Sequence, residues 1–171
     1  MKYFSGFSLQ GEEALFTDFL IDTDMTVAGF SYGAQQAVEY AYASTERIDR
    51  LILLSPAFFQ TQKASFIRVQ LRYFEADKDA YVAQFLKNVV YPSTFDLSSY
   101  LKVGTVEELE ALLTYTWDTE KIDALLARGI TIEVFMGAED KIVDTVEARK
   151  FFTKTTNYII KDAGHILREN I

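Results

Sequence analysis

The 171-residue chain contains no cysteine and only one histidine, His165. Without thiols the chain forms no disulfide and offers no thiolate metal or redox site. A single imidazole also excludes a multi-histidine metal centre within one chain, and we expect no cofactor. Only two prolines occur, so the chain has no proline-rich linker. The sequence also contains no internal repeat. The length therefore predicts one domain with a sizeable core.

Long hydrophobic runs are also lacking. The longest stretch without a charged residue, residues 25–38, has 14 residues and two glycines, which is too short to cross a bilayer. The first six residues contain no apolar run that suits a signal peptide, so we expect a cytoplasmic protein without a membrane partner. Hydrophobic residues nevertheless make up 49% of the chain, which excludes a disordered chain.

Positive charge is scarce, with 17 Lys and Arg against 25 Asp and Glu and a net charge of −8. This balance disfavours nucleic acid as a partner. Residues 58–90 are the exception, since they carry five basic and three acidic side chains. A local basic patch on an acidic protein indicates an acidic partner.

Apolar periodicity divides the chain into three regions. The first predicts strands and helices in alternation, at 3–4, 11–20, 25–28, 32–43 and 50–54. The second predicts helices alone, at 63–74, 77–89, 105–115 and 118–127. The third returns to strand, helix and strand at 130–136, 143–152 and 157–161, with a short helix after His165. Such alternation predicts a parallel sheet with a helical insertion.

Residues 29–33, Gly-Phe-Ser-Tyr-Gly, fit the pattern G-x-S-x-G between a predicted strand and a predicted helix. In that context the pattern indicates a nucleophile elbow, a sharp turn that raises the hydroxyl of Ser31 above the sheet. The glycines on either side let the strand and the helix pack closely. The alternative is a glycine-rich turn with an incidental serine.

A serine hydroxyl needs a base to attack an ester at neutral pH. The only imidazole is that of His165, which follows the last predicted strand, where open α/β sheets build their sites. Asp140 follows the penultimate strand and would orient the imidazole. The order Ser31, Asp140, His165 is that of α/β-hydrolases. Glu139 and Asp144 remain alternative acids, and a lone histidine is often a surface or core residue.

An oxyanion hole requires two donors. The amide of Tyr32, next after the nucleophile, is the first candidate. The second should come from the loop after the first strand, and there the Phe7 amide within residues 5–8 is our candidate. The alternative is a simple turn near the N-terminus.

With these motifs the chain resembles the α/β-hydrolase superfamily over nearly its full length. The matching pieces are residues 5–7, 29–33, 51–56, 137–140 and 164–165. Residues 27–37 and the short length are similar to pimeloyl-[acyl-carrier protein] methyl ester esterases of biotin synthesis, in particular the BioV isozyme family. Residues 109–123 are similar to the last cap helices of related esterases.

The resemblance implies a truncated α/β-hydrolase fold. Removing strands 1, 2 and 4 from the usual order 1-2-4-3-5-6-7-8 leaves 3-5-6-7-8, which is contiguous. We therefore expect about five parallel strands and a chain that is whole and active. Residues 1–57 and 128–171 would form the core, and residues 58–127, here named the cap region, would cover the serine. Ser5 stands where the family usually has a histidine.

The resemblance also implies a reaction. Ser31, His165 and Asp140 would hydrolyse the methyl ester of pimeloyl-acyl carrier protein to pimeloyl-acyl carrier protein and methanol. Arg68 and Arg72, four residues apart on one helix face, would dock the acidic carrier protein, unless they form an ordinary solvated face. Two further hypotheses are a generic acyl esterase or thioesterase with the same triad, and a non-catalytic binding protein on a hydrolase scaffold.

One consequence of five strands in chain order concerns the faces of the sheet. Right-handed crossovers that all step the same way place the connecting helices on one face, yet parallel sheets are normally covered on both. We therefore expect either a homodimer through the bare face or a helix 11–20 that crosses to it.

Overall fold

A computed structural model describes residues 1–169 of the chain. Its sheet has five strands in chain order, and every neighbouring pair is parallel. The strands are β1 Lys2–Phe4, β2 Thr26–Phe30, β3 Arg50–Leu54, β4 Thr131–Gly137 and β5 Thr156–Ile160. The contiguous parallel order that the resemblance implied is confirmed.

The α-helices of the described chain lie close to the predicted positions. They are α1 Tyr32–Ala43, α2 Ala64–Ala76, α3 Lys78–Val90, α4 Val106–Thr114, α5 Thr119–Ala127 and α6 Thr145–Phe151. Helices α3 to α6 each begin after an Asp or Thr whose side chain accepts an amide hydrogen of the first turn, which is why local sequence predicts their starts. None of the helices in residues 1–169 is both long and apolar enough to span a bilayer.

The two faces of the sheet pack into two separate cores. In β3, Leu51 and Leu53 join one core, while Ile52 and Leu54 join the other. The alternation follows from the two-residue period of a strand. The first core also contains buried residues of α1, α5 and α6, so the helices between strands cover one face, as right-handed crossovers require.

Residues 11–20 cover the opposite face, although not as the predicted α-helix. They form a short 3₁₀ helix, Glu12–Phe16, followed by turns. The ring of Phe16 lies 4.8 Å from that of Phe30, and the ring of Phe19 lies 5.1 Å from that of Phe135. The predicted crossing to the bare face is therefore confirmed in position, while the predicted helix type is wrong. The alternative, a homodimer, stays a prediction.

The segment after His165 also packs on this face. Ile166 and Leu167 are buried in its core, but residues 166–169 form a turn and an isolated bridge from Glu169 to Ala163 rather than the predicted helix. The remainder of that predicted helix lies outside the described residues. A second unpredicted element is a 3₁₀ helix at Ser98–Tyr100.

Candidate active site

Ser31 makes the turn between β2 and α1. Strand β2 ends at Phe30, helix α1 begins at Tyr32, and Ser31 has φ 55° and ψ −113°. A non-glycine residue in this left-handed region costs on the order of 1–3 kcal/mol and is typical of functional sites. A Cβ atom on Gly29 would lie 2.1 Å from the carbonyl oxygen of Gly33. Glycine at position 29 therefore permits the close approach of strand and helix that the motif predicted.

The three predicted residues meet at the carboxyl ends of the strands. The Oγ atom of Ser31 lies 2.8 Å from Nε2 of His165, and Nδ1 of His165 lies 2.6 Å from Oδ2 of Asp140. A carboxylate only accepts hydrogen bonds, so Nδ1 carries the proton and Nε2 of the neutral ring accepts from the serine hydroxyl. This arrangement can remove the Ser31 proton during nucleophilic attack.

Backbone amides hold the carboxylate of Asp140. Its Oδ1 atom accepts from the amides of Ile142 at 2.7 Å and Val143 at 3.0 Å, which leaves Oδ2 directed at His165. The side chain is 1% exposed. Asp144, one of the alternative acids, instead accepts two amides at the start of α6, so its carboxylate serves as a helix cap.

Glu139, the other alternative acid, is exposed. Of the three acids, it is Asp140 that the structure brings to the imidazole.

Within residues 1–169 no group of three His, Asp or Glu side chains is placed to hold a metal ion.

Ser55, which sequence reasoning missed, holds the backbone of His165. It follows β3 with φ 42°, and its hydroxyl donates to the carbonyl oxygen of His165 at 2.6 Å. The imidazole itself is fully covered and lies 5.1 Å from the ring of Phe30, between ring centroids. A polar residue at the end of a buried strand was the available signal, because strand ends face the site in parallel sheets.

The loop after β1 lies against the elbow. A Cβ atom on Gly33 would lie 1.9 Å from the carbonyl oxygen of Phe4, and Gly6 and Tyr32 line one polar cavity of about 340 Å³. Tyr32 begins α1, so its amide has no partner within the helix. The two predicted donor segments thus border one cavity. The role of the Phe7 and Tyr32 amides stays a prediction.

The cap region, together with Lys141 and Ile142, lines a second cavity of about 530 Å³. Its apolar lining includes Phe66, Tyr73, Phe85, Leu109, Leu113 and Ile142. It reaches the edge of the site through Ile142, which follows the Asp140 turn, and through Phe85, whose ring lies 5.6 Å from that of Phe7. Burial raises the pKa of Tyr81, also in the lining, to about 12, so its hydroxyl stays a donor to Gln70 at 2.8 Å.

Arg68 and Arg72 lie exposed on α2. Neither forms an ion pair with another residue of the described chain. The same helix contributes Gln70 and Tyr73 to the larger cavity. Neither arginine is among the residues that line the cavity, and their role in docking stays a prediction.

No protein-family model and no curated protein matches the chain. Solved structures do. MenH from S. aureus superposes with a TM-score of 0.64 at 15% identity, over 95% of this chain and 85% of that one. BioG from Haemophilus influenzae gives 0.58 at 11% identity, over 96% and 87%. An esterase from Exiguobacterium antarcticum gives 0.55 at 13% identity, over 82% of this chain and 59% of the esterase.

The chain spans little more than half the length of that esterase. At these identities the likeness shows the fold. The chain has the α/β-hydrolase fold, reduced to five parallel strands in one sheet.

Proposed function

We propose that the protein is a serine carboxylesterase that hydrolyses the methyl ester of pimeloyl-acyl carrier protein. The observation that carries the proposal is the hydrogen-bonded chain from Ser31 through His165 to Asp140, with distances of 2.8 and 2.6 Å. Such a chain activates a hydroxyl for acyl transfer. The likeness to BioG over nearly the whole of both chains supports a small hydrolase of comparable size.

In the proposed reaction Ser31 attacks the ester carbonyl while His165 accepts its proton. The Tyr32 and Phe7 amides stabilise the oxyanion. His165 then protonates the departing methoxide, which leaves as methanol, and His165 activates a water molecule that hydrolyses the acyl-enzyme. The products are methanol and a carrier-bound chain with a free carboxylate. Asp140 orients the imidazole and stabilises its charged form throughout.

Two features of the cap region support the proposed substrate. The cavity of about 530 Å³ offers an apolar lining for an acyl chain. Arg68 and Arg72 offer positive charge on the exposed surface of α2, the helix that contributes Gln70 and Tyr73 to the cavity, for an acidic carrier protein. Because the thioester to the carrier is intrinsically more labile than the methyl ester, position has to decide which bond reaches Ser31. A carrier held outside the cap region would keep the thioester away from the serine.

Intact-protein mass spectrometry of methyl pimeloyl carrier protein after incubation tests this proposal. We expect the carrier to lose the mass of one CH₂ group with the wild type and to remain unchanged with Ser31→Ala. Loss of the whole acyl chain would instead identify a thioesterase. An unchanged carrier together with turnover of p-nitrophenyl esters would identify a generic esterase. Inactivity on every ester would favour a binding protein on a hydrolase scaffold.

A further inference from the structure

Glu12 is a buried acidic residue that the proposed reaction does not use. It lies at the start of the 3₁₀ helix Glu12–Phe16 and is 0% exposed. Among the described residues it forms no ion pair, and its Oε2 atom is buried without a hydrogen-bond partner. Burying a carboxylate in this way is costly, which is typical of a group that has a specific role.

The other carboxylate oxygen of Glu12 holds the loop after β1. Oε1 accepts from the amide of Gly6 at 2.7 Å and from the hydroxyl of Tyr3 at 3.2 Å. Burial, and after it the charge of Glu12, raise the pKa of Tyr3. The phenol therefore stays protonated and keeps donating to Glu12.

The hydrogen bond from the Gly6 amide to Glu12 fixes the peptide group between Ser5 and Gly6. A second hydrogen bond fixes the next peptide group, between Gly6 and Phe7. The carbonyl oxygen of Gly6 accepts from the amide of Leu9 at 3.2 Å. In a trans peptide the N–H points opposite to the C=O, so the Phe7 amide is directed away from Leu9. A Cβ atom on Gly6 would lie 2.7 Å from the ring of Phe30, which presses the loop against the residue that precedes Ser31.

We propose that Glu12 is a positioning residue that orients the Phe7 amide toward the oxyanion by holding the amide of Gly6. The inference rests on the proposed esterase function. Glu12 touches neither substrate nor Ser31 in this role and acts only through the loop. A misplacement of a catalytic group by about 1 Å can cost about 10²-fold in rate, and loss of one oxyanion donor costs about 10²–10³-fold in kcat.

The test compares Glu12→Met, which keeps the size of the side chain but removes the acceptor, with Glu12→Gln, which keeps an acceptor oxygen. Glu13→Gln is the matched control, since Glu13 is the exposed neighbour. For each variant, kcat and KM are measured on a p-nitrophenyl ester, with active sites titrated by a fluorophosphonate. Amide exchange at Gly6 is followed by NMR, and Tm is recorded.

We expect Glu12→Met to lower kcat per titrated site about 10–100-fold, with KM changed less than about 3-fold. Exchange at Gly6 should accelerate in the same variant. Glu12→Gln should recover most of the rate and the protection, and Glu13→Gln should match the wild type.

An active wild type whose Glu12→Met variant keeps its kcat, whatever its Tm, overturns this inference alone. A recovery of neither rate nor protection in Glu12→Gln also overturns it, because the acceptor oxygen would then not be what matters. A wild type without esterase activity overturns the proposed function, and the inference falls with it.

Discussion

The reaction centre and the outer part of the cap region, which consists of helices α2 and α3, are held in different ways. Ser31, Asp140 and His165 follow the ends of three strands and are almost fully covered, since residue Ser31 is 4% exposed and the side chains of Asp140 and His165 are at most 1% exposed. Two backbone amides hold the carboxylate of Asp140, and the hydroxyl of Ser55 holds the backbone of His165. Helix α2, in contrast, buries only Phe74, and α3 buries only Val82 and Val89. For the proposed esterase, this difference predicts that changes at the centre affect every ester, while changes in the cap region affect some esters more than others.

The inner part of the cap region, which consists of helices α4 and α5, resembles the reaction centre because buried hydrogen bonds also hold it. The amide of Gln35 in α1 donates to the carbonyls of Ala57 and Leu112, both at 3.0 Å, and the indole of Trp117 donates to the same Ala57 carbonyl at 2.8 Å. Helix α4 and the segment before α5 are thereby joined to α1 and to the segment after β3. Differences in substrate preference should therefore arise from α2 and α3.

The largest effect should come from the nucleophile. Ser31→Ala should lower kcat/KM about 10⁴–10⁶-fold on every ester, because the attacking oxygen is removed. The fold should stay intact, since Ala accepts the same turn geometry about as well as Ser does. Esterase assays with circular dichroism check both points. Full activity in this variant would contradict the whole interpretation of the centre.

Asp140→Asn should lower kcat about 10⁴-fold. The Asn oxygen can still accept from Ile142 and Val143, but its NH₂ group would then face Nδ1 of His165 and favour the wrong tautomer. Asp144→Asn is the matched control, and it should change activity little because Asn also caps helices well. The reverse result in the same assay, with Asp144→Asn the damaging change, would show that the acid is misassigned.

A change inside the larger cavity should affect some substrates and spare others. Ala80 lines this cavity on α3, whereas Ala83 on the same helix does not. Ala80→Phe should raise KM about 10-fold for esters of medium-length acyl chains, because the ring would occupy part of the cavity and reduce the acyl surface that can be buried there, with acetate esters unchanged. Ala83→Phe should leave both constants near the wild-type values. Equal losses on short and long chains would show that the cavity does not hold the acyl group.

The smallest effect should come from the surface of α2. Arg68→Glu combined with Arg72→Glu should lower kcat/KM for carrier-linked substrate a few-fold, more at low salt, and spare small esters, since surface charges act mainly on association. Arg149→Glu with Lys150→Glu, on exposed positions of α6, is the charge-matched control. An equal loss on carrier-linked and small esters would mean that the arginines serve the structure of the cap region.

Features that depend on neighbouring residues were predictable from the sequence. The elbow is one, because its glycines and its serine all lie within five positions and the turn needs each of them. The starts of α3 to α6 are others, because their capping side chains lie two or three residues away from the amides they bind. The order of strands was instead predicted from the resemblance to α/β-hydrolases, whose usual order leaves five contiguous strands when strands 1, 2 and 4 are removed.

Glu12 and Ser55 could not be found in this way. Their partners, Gly6 and His165, are fixed by how the chain folds back on itself, and Ser55 is 110 residues away from His165. The signal for Glu12 was present but weak, as an acidic residue four positions before Phe16 in an apolar stripe. The short 3₁₀ helix was missed because the stripe of Leu15, Phe16 and Phe19 suits an α-helix equally well.

By itself, the sequence determined the parallel sheet, the sharp turn at Ser31 and the order of the three residues that follow strand ends. Those properties arise from backbone geometry and short-range patterns, which the sequence encodes directly. Only the tertiary structure decided that Asp140 rather than Asp144 reaches His165, that residues 11–20 cover the second face, and that Glu12 holds the loop of Phe7. Each of these depends on contacts between segments far apart in the chain, whose distances local patterns do not specify.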